Sequence, residues 1–387
     1  MVRPEGPAVS RRGNGEGSVF QIKSGRKEGL WAGALSLPGG RRKILYGKTR
    51  EEAGRKLTAM LREHHLGVLP KAGNLSVREY LSSWLEAKED TVRPSTFQRY
   101  RQIVVNDLIP ILGKIRLERL SAAEVEYLLR AKRAAGQSPR TVFHLRAVLR
   151  TALNHARRQE LIFKNAAELA QPPRVPHTPV KPLDPEQAGK LLEAVSGDRL
   201  SALYSVALAL GLRQGEILGL KWEAVDLAAG TMHVVHGLQR IGGELRLVEV
   251  KTRGSHRTLH LPASILAELR DHRQRQIKEQ LAAEYWEESG FVFTTEHGSP
   301  IESYWLRRHF VKVLEKAGLA HMRFYDLRHS CASLLLAQGI PLRSIMELLG
   351  HSSLSLTANT YTHLLPALQR ETAQAWDRLA AGFGQPR

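Results

Sequence analysis

The sequence predicts a multidomain, mainly α-helical protein with a few short antiparallel strands. Three observations carry that expectation. Apolar residues recur at helical spacing through residues 75–170. Alternating, strand-like runs are confined to residues 18–47 and 231–261. Two stretches, LGVLPKAGN at 66–74 and QPPRVPHTPVKP at 171–182, break both patterns with proline and glycine. At 387 residues the chain has room for two or three domains. The breaks divide it into segments 1–66, 75–170 and 182–387.

The first segment reads as a small three-stranded sheet with one helix. Ser18–Lys23, Leu30–Leu37 and Arg41–Gly47 alternate, Pro38-Gly39-Gly40 supplies turn chemistry between the last two, and a helix follows from Arg50 to about Glu63. The second segment predicts a four-helix bundle. Val77, Tyr80, Leu81, Trp84 and Leu85 form one apolar stripe, and a helix starting near Ser95 turns Tyr100, Ile103 and Val104 inward. Ser121 and Glu124 form a capping-box pattern, and Val142, Leu145, Leu149 and Leu153 line a helix from Ser138 to Arg158. The third segment opens with a helix capped by Asp184 with Pro185 in its first turn. It predicts a mixed α+β domain with a short antiparallel sheet, Thr231–Val235, Glu244–Val250 and Arg257–Leu261, with Gly242-Gly243 at the first turn.

Charge narrows the partner. Lys and Arg number 57 against 38 Asp and Glu, a net +19, which points to a polyanion. The excess is concentrated at the front, with 11 basic against 3 acidic residues among the first 50. Lys23, Arg26, Lys27, Arg41, Arg42 and Lys43 could follow a phosphate backbone there, or form a solvated basic face. Arg130, Lys132, Arg133, Arg140, Arg146, Arg150, Arg157 and Arg158 suggest a second nucleic-acid-facing surface on the bundle. Anionic membrane is the rival partner, but neither a polybasic amphipathic helix nor a lipidation motif is present. No apolar run is long enough for a membrane span, the N-terminus lacks the apolar core of a secretory signal, and the single cysteine, Cys331, fits the cytoplasm.

The usual hydrolytic and nucleotide motifs are absent: no P-loop, no GxSxG, no HExxH, no CxxC and no carboxylate cluster. Neither a cofactor nor a bound metal is expected. Without a metal, arginine is the residue type that neutralises phosphate, because its fork matches two oxygens. Two arginines stand out. Arg213 lies in GLRQGEILGL after an apolar helix, flanked by Gly211 and Gly215, with Glu216 near enough to orient it. Arg328 lies in YDLRHS ahead of Leu334–Leu336. Taken alone, each could be a structural arginine paired with a carboxylate.

Five short motifs stand in order: GLRQGEILGL, then Lys251-Thr252, DLRHS, LLGHSS and NTYTHL. With them, residues 180–370 resemble the catalytic domain of the tyrosine recombinase (phage integrase) family. Residues 75–170 resemble that family's core-type DNA-binding domain, and residues 14–65 its arm-type domain. The resemblance implies a site-specific recombinase that cuts and rejoins double-stranded DNA at attachment sites, integrating or excising a mobile element through a 3′-phosphotyrosyl intermediate. It implies roles as well: Arg213 and Arg328 clamp the scissile phosphate, Lys251 protonates the departing 5′ oxygen, His351 hydrogen-bonds the phosphate and Tyr361 is the nucleophile. Tyr325 stands where the family usually has histidine, and a phenol is a poor base at neutral pH. His329, adjacent to Arg328, is expected to point elsewhere, and His321 is not expected to substitute. A homotetramer on DNA is implied, with Leu364–Arg387 packing onto a neighbour, and DNA-bending or directionality proteins are further partners of such a system. A type IB topoisomerase shares this chemistry, and a DNA-binding regulator without catalysis would share the fold; Tyr325 is the one feature that favours the latter. A straight helix between His351 and Tyr361 would span about 15 Å and put its ends on different faces. A break is therefore expected around Ser352–Ser355.

Overall fold

The computed structural model describes residues 17–25, 27–36, 42–65, 74–176, 181–250, 256–350 and 377. The chain forms two compact units, Met1–Pro176 and His177–Arg387. It is mostly helical with small antiparallel sheets. No helix among the described residues is long and apolar enough to cross a membrane.

In the first unit, β1 (Ser18–Gln21), β2 (Trp31–Ser36) and β3 (Arg42–Gly47) form an antiparallel sheet in that order. α1 (Arg50–His65) covers one face through Leu35, Leu57 and Met60. A Cβ at Gly33 would meet the Ala53 carbonyl at 2.7 Å, so glycine lets helix and strand touch backbone to backbone. Basic side chains lie on aromatic rings: Lys27 Nζ is 3.7 Å from the Tyr46 centroid, and the Arg42 guanidinium is 5.6 Å from that of Phe20. Arg26 and Arg41 lie outside the described residues.

The bundle begins with α2 (Val77–Glu89). Its expected stripe, Val77, Tyr80, Leu81, Trp84 and Leu85, is buried. Ser76 and Glu79 close a capping box: the Ser76 amide donates to Glu79 Oε2 at 2.8 Å and Ser76 Oγ accepts from the Glu79 amide at 3.2 Å. α3 (Pro94–Ile103) runs into one wide turn, Val104–Leu108, before α4 (Ile109–Leu112). There the Ile109 amide reaches back to the Val104 carbonyl, five residues away. Pro110 follows and has no amide hydrogen to offer the usual ladder, which accounts for the bulge. α5 (Ala122–Ala134) starts at the Ser121–Glu124 box, and α6 (Pro139–Arg158) is capped by Ser138 Oγ, which accepts from the Thr141 amide.

A further short helix, α7 (Ala166–Leu169), was not legible in the sequence. Buried Asn165 sets it: Nδ2 donates to the Arg150 carbonyl and Asn154 Oδ1, each at 2.9 Å, while Oδ1 accepts from the Ala167 and Glu168 amides. Two bases expected on an outward face are engaged inside the domain. Arg146 donates to the Ala170 and Glu168 carbonyls, and Lys132 pairs with Asp107 at 2.6 Å with 16% of its side chain exposed. Bonding partners in the wide turn before α4 and at the C-terminus of α7 outweigh hydration of these two cations.

The second unit opens with α8 (Pro185–Ala194), capped by Asp184, and α9 (Ser201–Leu210). α9 reads SALYSVALAL, carries no charge and is almost wholly buried, as a helix apolar all round must be. α10 (Gln214–Leu218) follows. The strands are β4 (Val225–Asp226), β5 (Thr231–Val234), β6 (His236–Ile241), β7 (Glu244–Glu249) and β8 (Arg257–His260). They form two sheets, ordered β4-β5-β8 and β6-β7. This corrects the single short sheet expected from the sequence: Gly242-Gly243 joins β7 to β6, and β5 pairs with β8. β6 escaped notice because its Gly237 interrupts the strand pattern. That glycine packs against the backbone of Gly215, and a Cβ on Gly219 would come within 2.6 Å of the Leu238 amide. α11 (Ala263–Ala282), α12 (Ser303–Lys316), α13 (Asp326–Ala337) and α14 (Leu342–Leu349) complete the unit. Tyr204 Oη lies 2.6 Å from His309 Nδ1, linking α9 to α12.

Asn165→Ala removes a buried group that serves two carbonyl-type acceptors and two amides. It is expected to destabilise the bundle by about 2–3 kcal/mol in denaturant unfolding of the full chain.

Candidate active site

α9 ends at Gly211, whose backbone is left-handed (φ +58°). A Cβ there would lie 2.4 Å from Leu349 Cδ2 and 3.2 Å from Cys331 Sγ, so only glycine fits both the turn and the space. The chain then turns into α10 at Arg213, which is extended (φ −68°, ψ 149°). Three residues on, Glu216 folds back onto Arg213. Its Oε2 accepts the Arg213 amide at 3.0 Å and its Oε1 accepts Nη1 at 2.5 Å. The glutamate expected to orient Arg213 from its sequence spacing does contact it.

Glu216 is 4% exposed and has a second cation, Arg257 at the start of β8, whose Nη2 donates to Oε2 at 2.9 Å. Burial pushes the Glu216 carboxyl upward. Arg257 first and then Arg213 pull harder the other way, and the group sits below the usual carboxylate range.

Arg328 projects from the first turn of α13 and is 1% exposed. Nη1 donates to the Gly211 carbonyl at 2.7 Å and Nη2 to the Leu349 carbonyl at 2.6 Å; Nε has no partner among the described residues. Burial lowers its pKa, helped by the positive charge of Arg213 and opposed by Tyr325 and Glu216. Below it, Ser330 Oγ accepts the Leu183 amide and donates to the Asp326 carbonyl, and Asp326 takes both Nε and Nη2 of Arg323. These bonds fix the first turn of α13 that carries Arg328.

The arginines converge on one place, the C-terminus of α14, which Gly350 closes in a left-handed turn (φ +64°). Arg257 Nε donates to the Leu348 carbonyl at 2.7 Å, Arg328 to Leu349 at 2.6 Å and Arg213 Nη2 to Gly350 at 3.2 Å. Carbonyls at a helix end have no intrahelical donor and carry the negative end of its dipole, so cations belong there. The structure thus brings Arg213 and Arg328 together as the sequence suggested. It adds Arg257, which the sequence offered as the first residue of a strand. The readable signal was strand alternation, since Arg257 shares a face of β8 with buried Leu259.

Tyr325 stands at the N-cap of α13 and is 41% exposed. Its ring meets that of His329, one turn on, edge to face at 5.3 Å. His329 was expected to point elsewhere; i, i+4 spacing on the helix puts it against Tyr325 instead. Burial lowers its pKa. His321 is exposed. Cys331 is buried with Sγ 3.3 Å from the Ala209 carbonyl, and burial pushes its thiol up to about 12. Lys251, His351 and Tyr361 lie outside the described residues, as do the expected break at Ser352–Ser355 and all but Asp377 of the C-terminal segment.

Comparison with known proteins identifies the family. Residues 181–367 match the phage integrase family, and residues 76–129 match the phage integrase N-terminal SAM-like domain. An integrase of Streptomyces ambofaciens is 32% identical over 380 residues, covering 93% of this chain and 96% of its own. The chain belongs to the phage integrase family. A XerC-like tyrosine recombinase of Caldanaerobacter subterraneus subsp. tengcongensis is 31% identical over 350 residues, covering 84% of this chain and 88% of its own. Among solved structures, the Tn1549 transposon integrase in complex with a circular intermediate DNA shares the fold, with a TM-score of 0.65 and 21% identity over 78% of this chain and 99% of that one. A lambda integrase tetramer bound to a Holliday junction has a TM-score of 0.55 at 16% identity over 91% and 96% of the two chains. This integrase is a tyrosine recombinase, an enzyme of site-specific DNA recombination.

Gly211→Ala combines a left-handed backbone with overlap on Leu349. It is expected to cost about 2–3 kcal/mol of stability, read from denaturant unfolding. It should also slow the enzyme, because the same contact seats the carbonyls that Arg328 holds.

Proposed function

We propose that the arginine-capped end of α14 is the phosphate-binding centre of the recombinase, with Arg213 and Arg328 clamping the non-bridging oxygens of the scissile phosphate. One observation carries this reading. Two arginines far apart in sequence are held on adjacent carbonyls, Leu349 and Gly350, and the next residue in the chain is His351. Both guanidinium groups keep N–H donors in reserve: Arg213 is 35% exposed, and Arg328 has its Nε unengaged among the described residues. Developing charge on phosphorus would meet fixed, pre-oriented donors.

In the proposed reaction Tyr361 loses its phenol proton to solvent, and the phenolate attacks phosphorus. The Tyr361 O–P bond forms as the P–O5′ bond breaks, leaving a 3′-phosphotyrosyl link. Lys251 gives its proton to the departing O5′, which leaves as a hydroxyl. His351 hydrogen-bonds the phosphate. A 5′ hydroxyl of the partner strand then reverses the same steps on the new strand. No bond energy is lost, so no nucleotide is consumed. Tyr325 takes the place of the family's usual histidine and hydrogen-bonds within the site rather than accepting the nucleophile's proton.

The substrate is proposed to be double-stranded DNA at attachment sites of a mobile element. Residues 1–66 would form the arm-type DNA-binding domain, 75–170 the core-type domain and 182–387 the catalytic domain. Residues 1–66 supply most of the front-loaded charge, and the family match at 76–129 supports the second assignment. A homotetramer on two DNA sites is proposed, with Leu364–Arg387 packing onto a neighbour and DNA-bending or directionality proteins assisting. Action in the cytoplasm is part of the same proposal.

The test is a nicked suicide duplex built from the repeat that flanks the gene. Wild type is expected to give a covalent protein–DNA adduct on a denaturing gel, and Tyr361→Phe none; an adduct with Tyr361→Phe overturns the assignment. Chelators should leave the rate unchanged. Tyr325→His, which puts an imidazole near its working pKa, should raise the rate of adduct formation about 10- to 100-fold around pH 7.

A further inference from the structure

Arg257 has no part in the reaction just described, yet it is one of the most tightly held cations among the described residues. Its side chain is 7% exposed and that of its partner Glu216 is 4% exposed. Nη2 donates to Glu216 Oε2 at 2.9 Å and Nε to the Leu348 carbonyl at 2.7 Å. It begins β8, the strand that directly follows residues 251–255 in the chain. One side chain therefore touches three parts of the centre: the carboxylate that holds Arg213, the end of α14 that leads to His351, and the strand that follows Lys251.

We infer that Arg257 is a positioning residue for DNA strand transfer: it keeps the Glu216–Arg213 pair ionic and locks β8 to the C-terminus of α14. This rests on the phosphate-binding reading above. Arg257 itself need not touch DNA. Its action runs through Glu216, which Arg213 alone would have to balance if Arg257 were neutral.

Among the described residues, few charges surround Glu216. Arg213 caps its own helix, Arg257 faces it from β8, and Arg328 on α13 feels its charge. α9, packed against α10, carries no charged side chain. A cavity of about 270 Å³ on the far side is lined by Glu216 with Lys221, Glu223, His233 and His236, none of which bonds to Glu216. No charged group of α12 bonds to it either; the α10–α12 link is Gln214 Nε2 donating to the Ser303 carbonyl. Without Arg257, burial would then dominate and Glu216 would hold its proton to higher pH.

The sign of each consequence follows. In wild type, Glu216 is depressed and stabilises the fold above its unfolded pKa. In Arg257→Met it would be raised, and its contribution would be lost as pH rises through the new value. The gap in melting temperature between wild type and Arg257→Met should therefore widen from about pH 5 to about pH 8. In the double variant Glu216→Gln/Arg257→Met the gap should not vary with pH. Catalysis should move oppositely. Arg257→Met should form covalent adduct about 10- to 100-fold more slowly than wild type, the worth of one hydrogen bond to a charged group, and fall further behind as pH drops and Glu216 neutralises. Its affinity for the duplex in a gel shift should be unchanged. Arg257→Lys should remove the pH dependence of the ratio but restore only part of the rate, since an ammonium cannot match the fork that reaches both partners.

A melting gap and a rate ratio that are both flat with pH would overturn the inference and leave Arg257 as packing. A wild type that binds the duplex but forms no adduct would overturn the recombinase chemistry instead, while the melting series still decides whether Arg257 sets the charge of Glu216.

Discussion

Three consecutive carbonyl oxygens at the end of α14, those of Leu348, Leu349 and Gly350, each accept a hydrogen bond from a different arginine. The catalytic unit depends on this cap. A helix end must find donors for its last carbonyls, and an arginine must find acceptors before it can be buried. Here each requirement meets the other. Because Arg213 comes from α10, Arg257 from β8 and Arg328 from α13, the cap also joins three elements that are distant in sequence. Removing any one arginine leaves a carbonyl without that donor as well as a position without its charge, so the losses should not be additive.

The cap is unbalanced electrically. Among the described residues, the carboxylate bonded to guanidinium groups of the cap is Glu216, and Arg328 is almost wholly buried. Burying such an excess is unfavourable unless dipoles or an anion offset it. The dipole of α14 supplies part of the offset; burial first, and then the charge of Arg213, lowers the pKa of Arg328. An excess of positive charge at one point would, on the proposed reading, favour a dianion-like transition state there. The apolar, charge-free α9 behind the site keeps competing counter-ions on that side away.

Much of this was legible. The bundle stripe of α2, the capping box at Ser121, the helix cap at Asp184, and the pairing of Glu216 with Arg213 are all local relations that a sequence displays directly. What escaped reading was non-local or set by the backbone. Arg257 meets Glu216 across two elements, and its partner Leu348 contributes only a carbonyl, which every residue type has. β6 was hidden because Gly237 serves a backbone contact with α10 rather than the strand pattern. Arg146 and Lys132 looked like surface charge because their acceptors, two carbonyls and Asp107, are separated from them in sequence. Lys251, His351 and Tyr361 were read from motifs alone, and their assignment still rests there.

The choice of acceptors matters for function. Carbonyls are neutral, and a hydrogen bond to an ionised acceptor is roughly twice as strong. On the proposed reading, a phosphate arriving beside Arg328 would not first have to break an ion pair, because among the described residues that arginine donates to the Gly211 and Leu349 carbonyls and to no carboxylate. Arg213 differs: it is ion-paired to Glu216 through Nη1, while its Nη2 bond to Gly350 is the longest of the three cap bonds. Glu216 thus fixes the direction of Arg213 but leaves its outer edge weakly committed. Carboxylates on both arginines would have neutralised the site; carbonyls on both, with no Glu216, would have left Arg213 without an anchor in a third-exposed position. On the proposed reading, one rigid cation and one tethered cation would make a clamp that is pre-oriented before a phosphate enters.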